Sequence, residues 1–204
     1  MIKKIKQIIS PDDEDKKVVI LDPTTLTTPQ EPDMRIVGLF ADVNDEKIAE
    51  IIHNILYFHE LNLQSEEKNR KPITFYLSTY GGNADDMFAM YDLMRNVRDT
   101  TQIHTCGLGK VMSAGVLLLA AGTKGKRYIG KNCRVMIHSV IGGNHGALHN
   151  MMNEMEAIEQ LQDMYCDALI SETRLTRVKL KNMLERKVNV YLSAEEAVEL
   201  GIAD

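Results

Sequence analysis

The fold is decided by the stretch SAGVLLLAAG at residues 113–122, where one serine opens an apolar run that ends in glycine. The run predicts a short buried helix, because no charged residue interrupts it and the glycine ends it. It is about half the length that a membrane-spanning helix needs. We therefore predict a buried helix of a globular domain, and no membrane partner.

Strand-like and helix-like segments alternate on both sides of this run. Short apolar stretches predict strands at residues 35–40, 73–77, 101–106, 126–129 and 134–138. Apolar residues at helical spacing predict helices at residues 44–60, 84–97, 147–172, 177–186 and 194–200. Repeated units of this kind imply an α/β fold whose sheet is largely parallel and covered by helices.

The first part of the chain has a different character. Residues 4–9 and 17–21 each favour a strand around a polar turn, and a threonine- and proline-rich stretch follows them. We therefore predict an N-terminal hairpin and linker over residues 1–33. The main domain is predicted over residues 34–204.

Composition excludes several classes of protein. The 204 residues are 44% hydrophobic and 26% charged, which is ordinary for a globular protein. A formal net charge of −5 does not favour a nucleic-acid partner. The three cysteines fit no disulfide or zinc pattern and suggest reduced thiols, so we expect a cytoplasmic location.

Three features together suggest hydrolysis of an acyl bond. Ser113 precedes the apolar helix, His138 follows it 25 residues later, and a strand runs into Gly81 and Gly82. Such chemistry needs a hydroxyl nucleophile, an imidazole base and backbone N–H groups that hold an oxyanion. Ordinary structural roles are also open: a helix N-cap for Ser113, a core histidine for His138 and a tight turn for the glycines.

Other common sites do not fit. The nucleophile elbow Gly-x-Ser-x-Gly is absent, because Val111 occupies its first glycine position. Neither the dinucleotide fingerprint nor the phosphate-binding loop with Gly-Lys-Ser/Thr occurs. His145 and His149 are four residues apart, but no carboxylate or cysteine joins them at ligand spacing. We therefore expect no metal and no cofactor.

From about residue 35 to residue 204 the chain resembles the ClpP family, the proteolytic subunits of ATP-dependent Clp proteases. The resemblance is carried by YLSTYGG at 76–82, the segment 107–122 around MSAG, KGKRY at 124–128, NCRVMIH at 132–138 and YLSAEEAVELG at 191–201. It implies the ClpP/crotonase-type fold, with repeated ββα units and a protruding handle at about residues 139–172. It also implies that the hairpin and linker at residues 1–33 lie in the axial region of a ring.

The resemblance also implies the roles of the site residues. Ser113 would be the nucleophile and His138 the base, and the amides of Gly82 and Ala114 would form the oxyanion hole. An extended peptide would bind along Gly81 on one side. On the other side it would bind along Gly142 and Gly143, which would form an edge strand before the handle helix.

The third member of the triad departs from the family pattern. Counting backward from YLSA places the family's aspartate at Asn189, whereas counting forward from Glu185 places it at Lys187. We expect Asn189 to orient His138, in a Ser-His-Asn triad of reduced activity. The proline that usually precedes the glycine pair is Tyr80 here.

The resemblance predicts a serine endopeptidase subunit in a homo-oligomer of seven or fourteen chains. Its substrates would be unfolded polypeptides that an AAA+ unfoldase of the Clp type delivers. The first alternative is a non-catalytic or weakly active ring subunit with a structural or binding role. The second is a crotonase-type acyl-CoA enzyme, which is weaker because such enzymes do not need this Ser/His pair.

Overall fold

A mixed sheet forms the centre of the computed structural model, which describes residues 33–143, 145–185 and 189–204. Almost all of the predicted N-terminal hairpin and linker lies outside these residues. The strands are β1 (Ile36–Leu39), β2 (Ile73–Thr79), β3 (Ile103–Met112), β4 (Arg127–Ile129), β5 (Arg134–Ile137) and β6 (Val190–Leu192). The helices are α1 (Asp45–Leu63), α2 (Ala84–Val97), α3 (Ala114–Ala120), α4 (Leu148–Glu172), α5 (Arg177–Glu185) and α6 (Ala194–Glu199).

The strand order confirms the predicted α/β architecture of the ClpP type. Within the described residues the sheet runs β1-β2-β3-β5-β6, with β4 also paired to β3. Pairing is parallel throughout except for β6, which runs antiparallel to β5 at the edge. The sequence pattern did not predict β6, because a three-residue strand is too short to show a period of two.

Strand β3 is longer than predicted and changes partner along its length. We expected it to end at Cys106, because Gly107 and Gly109 interrupt the apolar pattern. It continues to Met112: one edge pairs with β2 as far as Val111, while the other edge pairs first with β4 and then, over its last three residues, with β5. Gly109 has a φ of 64°, which lets the backbone turn between the two sets of partners.

Helix α3 lies in the middle of the core. All seven of its residues are buried, which confirms the helix expected from the apolar run. Methionines of α2 and isoleucines of α1 supply much of the packing, since both helices bury residues at helical spacing. The buried members are Ile48, Ile51, Ile55, Met87, Met90 and Met94.

The segment expected to form the handle contains α4 and the irregular residues before it. Residues 139–147 carry no regular secondary structure wherever they are described, so the edge strand expected at Gly142 and Gly143 is absent there. Two adjacent glycines are costly to hold extended, and no described strand pairs with them. Within the described parts of the chain, no helix is both long and apolar enough to cross a membrane.

A buried carboxylate anchors the base of the handle. Glu172, the last residue of α4, has only 2% of its surface exposed. Its carboxylate accepts hydrogen bonds from Arg98 at 3.0 Å and Tyr91 at 3.3 Å, and lies 2.9 Å from the Lys124 ammonium. Burial raises the pKa of Glu172, but the bonds from Arg98 and Lys124 outweigh it and keep the pKa below its usual value. The handle helix is therefore tied to α2 and to the segment between α3 and β4.

Candidate active site

Ser113 occupies a strained turn between β3 and α3. Its φ of 54° and ψ of −124° make it the one non-glycine residue with positive φ in the described ranges. Such a conformation is costly for a residue with a side chain, and it persists only where surrounding bonds hold it. One of those bonds joins the Ser113 N–H to the carbonyl oxygen of Met136 at 2.8 Å.

The sheet brings Ser113 and His138 together. Met112 of β3 lies directly beside Met136 of β5 in the parallel register, so the residues just beyond each strand emerge at the same edge. The Nε2 atom of His138 lies 2.8 Å from the Oγ atom of Ser113. Ser113 holds the N-cap position, but its side chain makes no cap hydrogen bond. Its hydroxyl contacts the imidazole instead.

The protonation state of His138 suits a base. The imidazole is partly buried, and this burial lowers its pKa below the ordinary value of 6.5. A neutral ring at neutral pH can accept the serine proton at Nε2. In the described part of the chain, no hydrogen bond reaches its Nδ1 atom.

Tyr165 is a site residue that sequence reasoning assigned to the helix core. Its hydroxyl donates to the Ser113 carbonyl oxygen at 3.1 Å, and that oxygen also accepts the Val116 N–H at 3.0 Å. Burial raises the pKa of Tyr165, so the phenol stays protonated and can donate. The sequence signal that could have identified Tyr165 is a tyrosine on the buried face of a helix, because a buried hydroxyl needs a hydrogen-bond partner.

The glycine pair lies against Ser113. A Cβ atom on Gly81 would lie 2.6 Å from the Ser113 Cβ, so no other residue fits beneath the serine. The Gly81 carbonyl accepts the Val43 N–H at 2.8 Å, and its N–H donates to the Thr79 hydroxyl at 3.0 Å. These contacts fix Gly81 as support for the turn. Its expected contact with an extended peptide stays a prediction.

Two backbone donors are available beside Ser113. Gly82 is exposed, and among the described residues its N–H has no acceptor. Ala114 is the first residue of α3, so no helical carbonyl one turn earlier can accept its N–H. In the described ranges no other acceptor contacts this N–H. A Cβ on Gly82 would lie 2.2 Å from the Val43 carbonyl oxygen, which explains the glycine there. The arrangement suits the expected oxyanion hole.

Asn189 and His138 lie one residue beyond the last paired residues of β6 and β5. Ile137 of β5 is directly opposite Val190 of β6 in the antiparallel pair, so one further step along the register places His138 opposite Asn189. The Asn189 side chain is exposed, and in the described residues it makes no hydrogen bond with His138. The rival position, Lys187, lies outside the described residues.

A cavity of about 460 Å³ opens over the serine. Its walls come from the glycine turn and start of α2, the end of β5 and the handle helix. The lining residues are Tyr80, Gly82, Asn83, Ala84, Asp85, Met87, Ser113, Ala114, His138, Ser139, Val140, Ile141, Leu161 and Tyr165. Gly142 and Gly143 are the next residues beyond this lining, and both are exposed. Their binding of peptide stays a prediction.

No metal-binding cluster accompanies the site. In the described ranges, no group of three or more histidine, cysteine, aspartate or glutamate residues could hold an ion. His145 and His149 are both exposed and lie on either side of the start of α4.

Comparison with known families agrees with this geometry. The sequence model of the family described as Clp protease matches residues 30–204. The match includes the glycine turn, Ser113, His138, the handle and β6. It covers well over half of the chain, so this protein belongs to the Clp protease family and is a ClpP-like peptidase.

Proposed function

We propose that this chain is a serine endopeptidase subunit that hydrolyses unfolded polypeptides. The observation that carries the proposal is the 2.8 Å contact between the Ser113 hydroxyl and the His138 Nε2 atom. Nucleophile and base already lie at hydrogen-bond distance, which is the geometry that proton transfer needs.

In the proposed reaction, the Ser113 oxygen attacks the peptide carbonyl carbon as His138 Nε2 takes the hydroxyl proton. The carbonyl oxygen becomes an anion, and the N–H groups of Gly82 and Ala114 donate to it. The C–N bond then breaks, and His138 returns the proton to the leaving amine. Water attacks the acyl-enzyme with His138 again as the base, which releases the acid and restores the serine.

We further propose that the Asn189 side chain orients the imidazole. Its amide oxygen would accept the Nδ1–H of His138, which leaves Nε2 free to receive the serine proton. The register supports this proposal, since it places the two residues opposite each other. Asn189 carries no charge, so it would not stabilise the imidazolium as an aspartate does. A reduced rate follows.

The proposed assembly is a homo-oligomer of seven or fourteen chains in the cytoplasm, supplied by an AAA+ unfoldase of the Clp type. Exposed apolar side chains on the handle support assembly, because a water-soluble monomer seldom leaves several together. They are Leu148, Met151, Met152, Met155 and Met164. Native mass spectrometry should show seven subunits or a multiple of seven. A stable monomer at micromolar concentration would contradict the proposal.

A fluorophosphonate probe tests the catalytic part. It should label the wild-type protein and leave Ser113→Ala unlabelled, because the probe reacts with an activated serine. His138→Ala should label far more slowly while it assembles normally. Equal labelling of the wild type and Ser113→Ala would show that another nucleophile reacts.

The alternative is a ring subunit with little or no activity. It is favoured by one observation, the exposed Asn189 side chain without a hydrogen bond to His138 in the described residues. Absence of labelling and of peptide hydrolysis in a correctly assembled oligomer would favour this alternative.

A further inference from the structure

Two cations lie side by side next to the active-site cavity. Tyr80 lines that cavity with 65% of its surface exposed, and the Lys110 ammonium lies 4.6 Å from the centre of its ring. Lys110 of β3 is in direct register with Arg134 of β5, and the Arg134 guanidinium carbon lies 4.9 Å from the ring centre of Tyr191. We call these four side chains the cationic row.

The positive charge of the row is not neutralised locally. Parallel strands are about 4.8 Å apart, and residues in register point to the same face, so Lys110 and Arg134 repel each other. In the described residues no carboxylate forms an ion pair with either one, although the chain as a whole is acidic at −5. An aromatic ring attracts a cation less strongly than a carboxylate does. The cationic row can therefore still bind an anion.

The row meets the active-site cavity at Tyr80, the one member of the row that lines it. Tyr80 immediately precedes Gly81, which lies beneath Ser113, and Tyr80 itself forms part of the cavity wall. A ligand at the row that also reaches Ser113 must be a chain long enough to lie along the cavity. A peptide with a carboxylate side chain meets both conditions.

We infer that Tyr80, Lys110 and Arg134 form a subsite for an aspartate or glutamate side chain of the substrate, near the bond that is cleaved. The inference rests on the proposed function, because it assigns a preference to the same site. The Tyr80 ring packs on the methylene groups of the acidic side chain. The Lys110 ammonium moves away from the Tyr80 ring and forms an ion pair with the substrate carboxylate. Arg134 adds to the positive electrostatic potential.

The preference is confined to one position of the peptide. Asp85, at the start of α2, lines the same cavity and disfavours a second acidic side chain near itself. The subsite therefore selects where an acidic residue sits along the bound chain, and it does not select acidic peptides in general.

Paired quenched fluorescent peptides test this inference in the assembled protein. Each pair differs by Glu or Gln at one position near the cleaved bond. We expect one position where the wild type cleaves the Glu peptide with about fivefold higher kcat/KM, which is the effect of one exposed ion pair at its upper range. Lys110→Gln should bring the ratio close to one, and Lys110→Glu should reverse it. Lys68→Gln removes the same charge far from the cavity and should keep the wild-type ratio.

Salt and binding measurements complete the test. The Glu/Gln ratio of kcat/KM should fall towards one as ionic strength rises, because salt screens charges that solvent can reach. A Glu/Gln ratio that is the same in the wild type and Lys110→Gln overturns the inference. Binding of the same peptides to Ser113→Ala, measured by fluorescence anisotropy, gives the comparison without turnover. If the assembled protein hydrolyses none of the peptides, but the ratio of Glu-peptide to Gln-peptide binding still depends on Lys110, the peptidase proposal is contradicted and the subsite is supported.

Discussion

The Tyr165 hydroxyl donates a hydrogen bond to the Ser113 carbonyl oxygen at 3.1 Å, so helix α4 contacts the backbone of the proposed nucleophile. Ser113 holds a φ of 54°, which needs support from its surroundings. The Met136 carbonyl fixes the N–H of the serine, and Tyr165 fixes its carbonyl. Helix α4 thereby helps to fix the turn at Ser113 and also forms part of the cavity wall.

Tyr165→Phe removes this bond with little change in volume. We expect kcat to fall by about three- to tenfold, the usual net effect of one hydrogen bond, while KM changes little. Stopped-flow labelling by a fluorophosphonate should slow by a similar factor. Tyr91→Phe removes another buried hydroxyl far from Ser113 and should leave both rates unchanged. Equal effects of the two variants on kcat would mean that Tyr165 acts only through stability.

Asn189→Asp should increase activity. A carboxylate would hold the imidazole and stabilise the imidazolium that forms when Ser113 loses its proton. We expect hydrolysis of a short fluorogenic peptide to rise by at least about tenfold near neutral pH, far less than the roughly 10⁴-fold loss known for the reverse change in a serine protease of another fold. Both proteins must be compared in the same oligomeric state. An assembled variant that is no faster would show that Asn189 does not serve His138.

The pH dependence should report the burial of His138. The reaction needs the neutral imidazole, and burial lowers the pKa of His138, so kcat/KM should fall on the acid side with a midpoint below 6.5. In Asn189→Asp the added negative charge favours the imidazolium, and the midpoint should move to higher pH. Initial rates from pH 4.5 to 8 measure both midpoints. A wild-type midpoint clearly above 6.5 would contradict the burial argument.

Glu172→Gln should destabilise the base of the handle. The variant leaves Arg98 and Lys124 close together without their carboxylate, and we expect the free energy of unfolding to fall by about 3 kcal/mol. The pKa of Glu172 is lowered in the folded protein, so its stabilising effect is present above the ordinary value of 4.5 and is lost as pH falls below it. The difference between variant and wild type should therefore shrink in acid. Urea unfolding at pH 7 and pH 3.5 makes the comparison.

Sequence reasoning found the fold because most elements carry their own pattern. The apolar run of α3 and the stripes of α1 and α2 are local signals, and the structure confirms all three helices. The extension of β3 beyond Gly107 was missed because it depends on pairing with β5, which no local pattern records. The strand expected at Gly142 and Gly143 was wrong for the same reason, since no described strand pairs with it.

The candidate site was likewise predicted only in part from the sequence. The sequence order predicted Ser113 and His138, and the register of β3 with β5 explains why they meet. The contact of Tyr165 with Ser113 joins residues 52 positions apart, so only the fold could reveal it. The role of Asn189 depends on how β6 begins, next to residues that the structure does not describe, and it stays a prediction.

The pairing of β3 with β5 has a consequence for motion. Ser113 and His138 follow strands inside the sheet, and their amide neighbours should exchange hydrogen with solvent only through large-scale opening. Asn189 instead adjoins β6, a three-residue strand that pairs with β5 alone among the described residues. Fraying of β6 needs few bonds to break, so Asn189 can move while Ser113 and His138 stay in place. Under the proposed role of Asn189, the rate would be adjusted at the sheet edge while the proposed nucleophile and base keep their geometry.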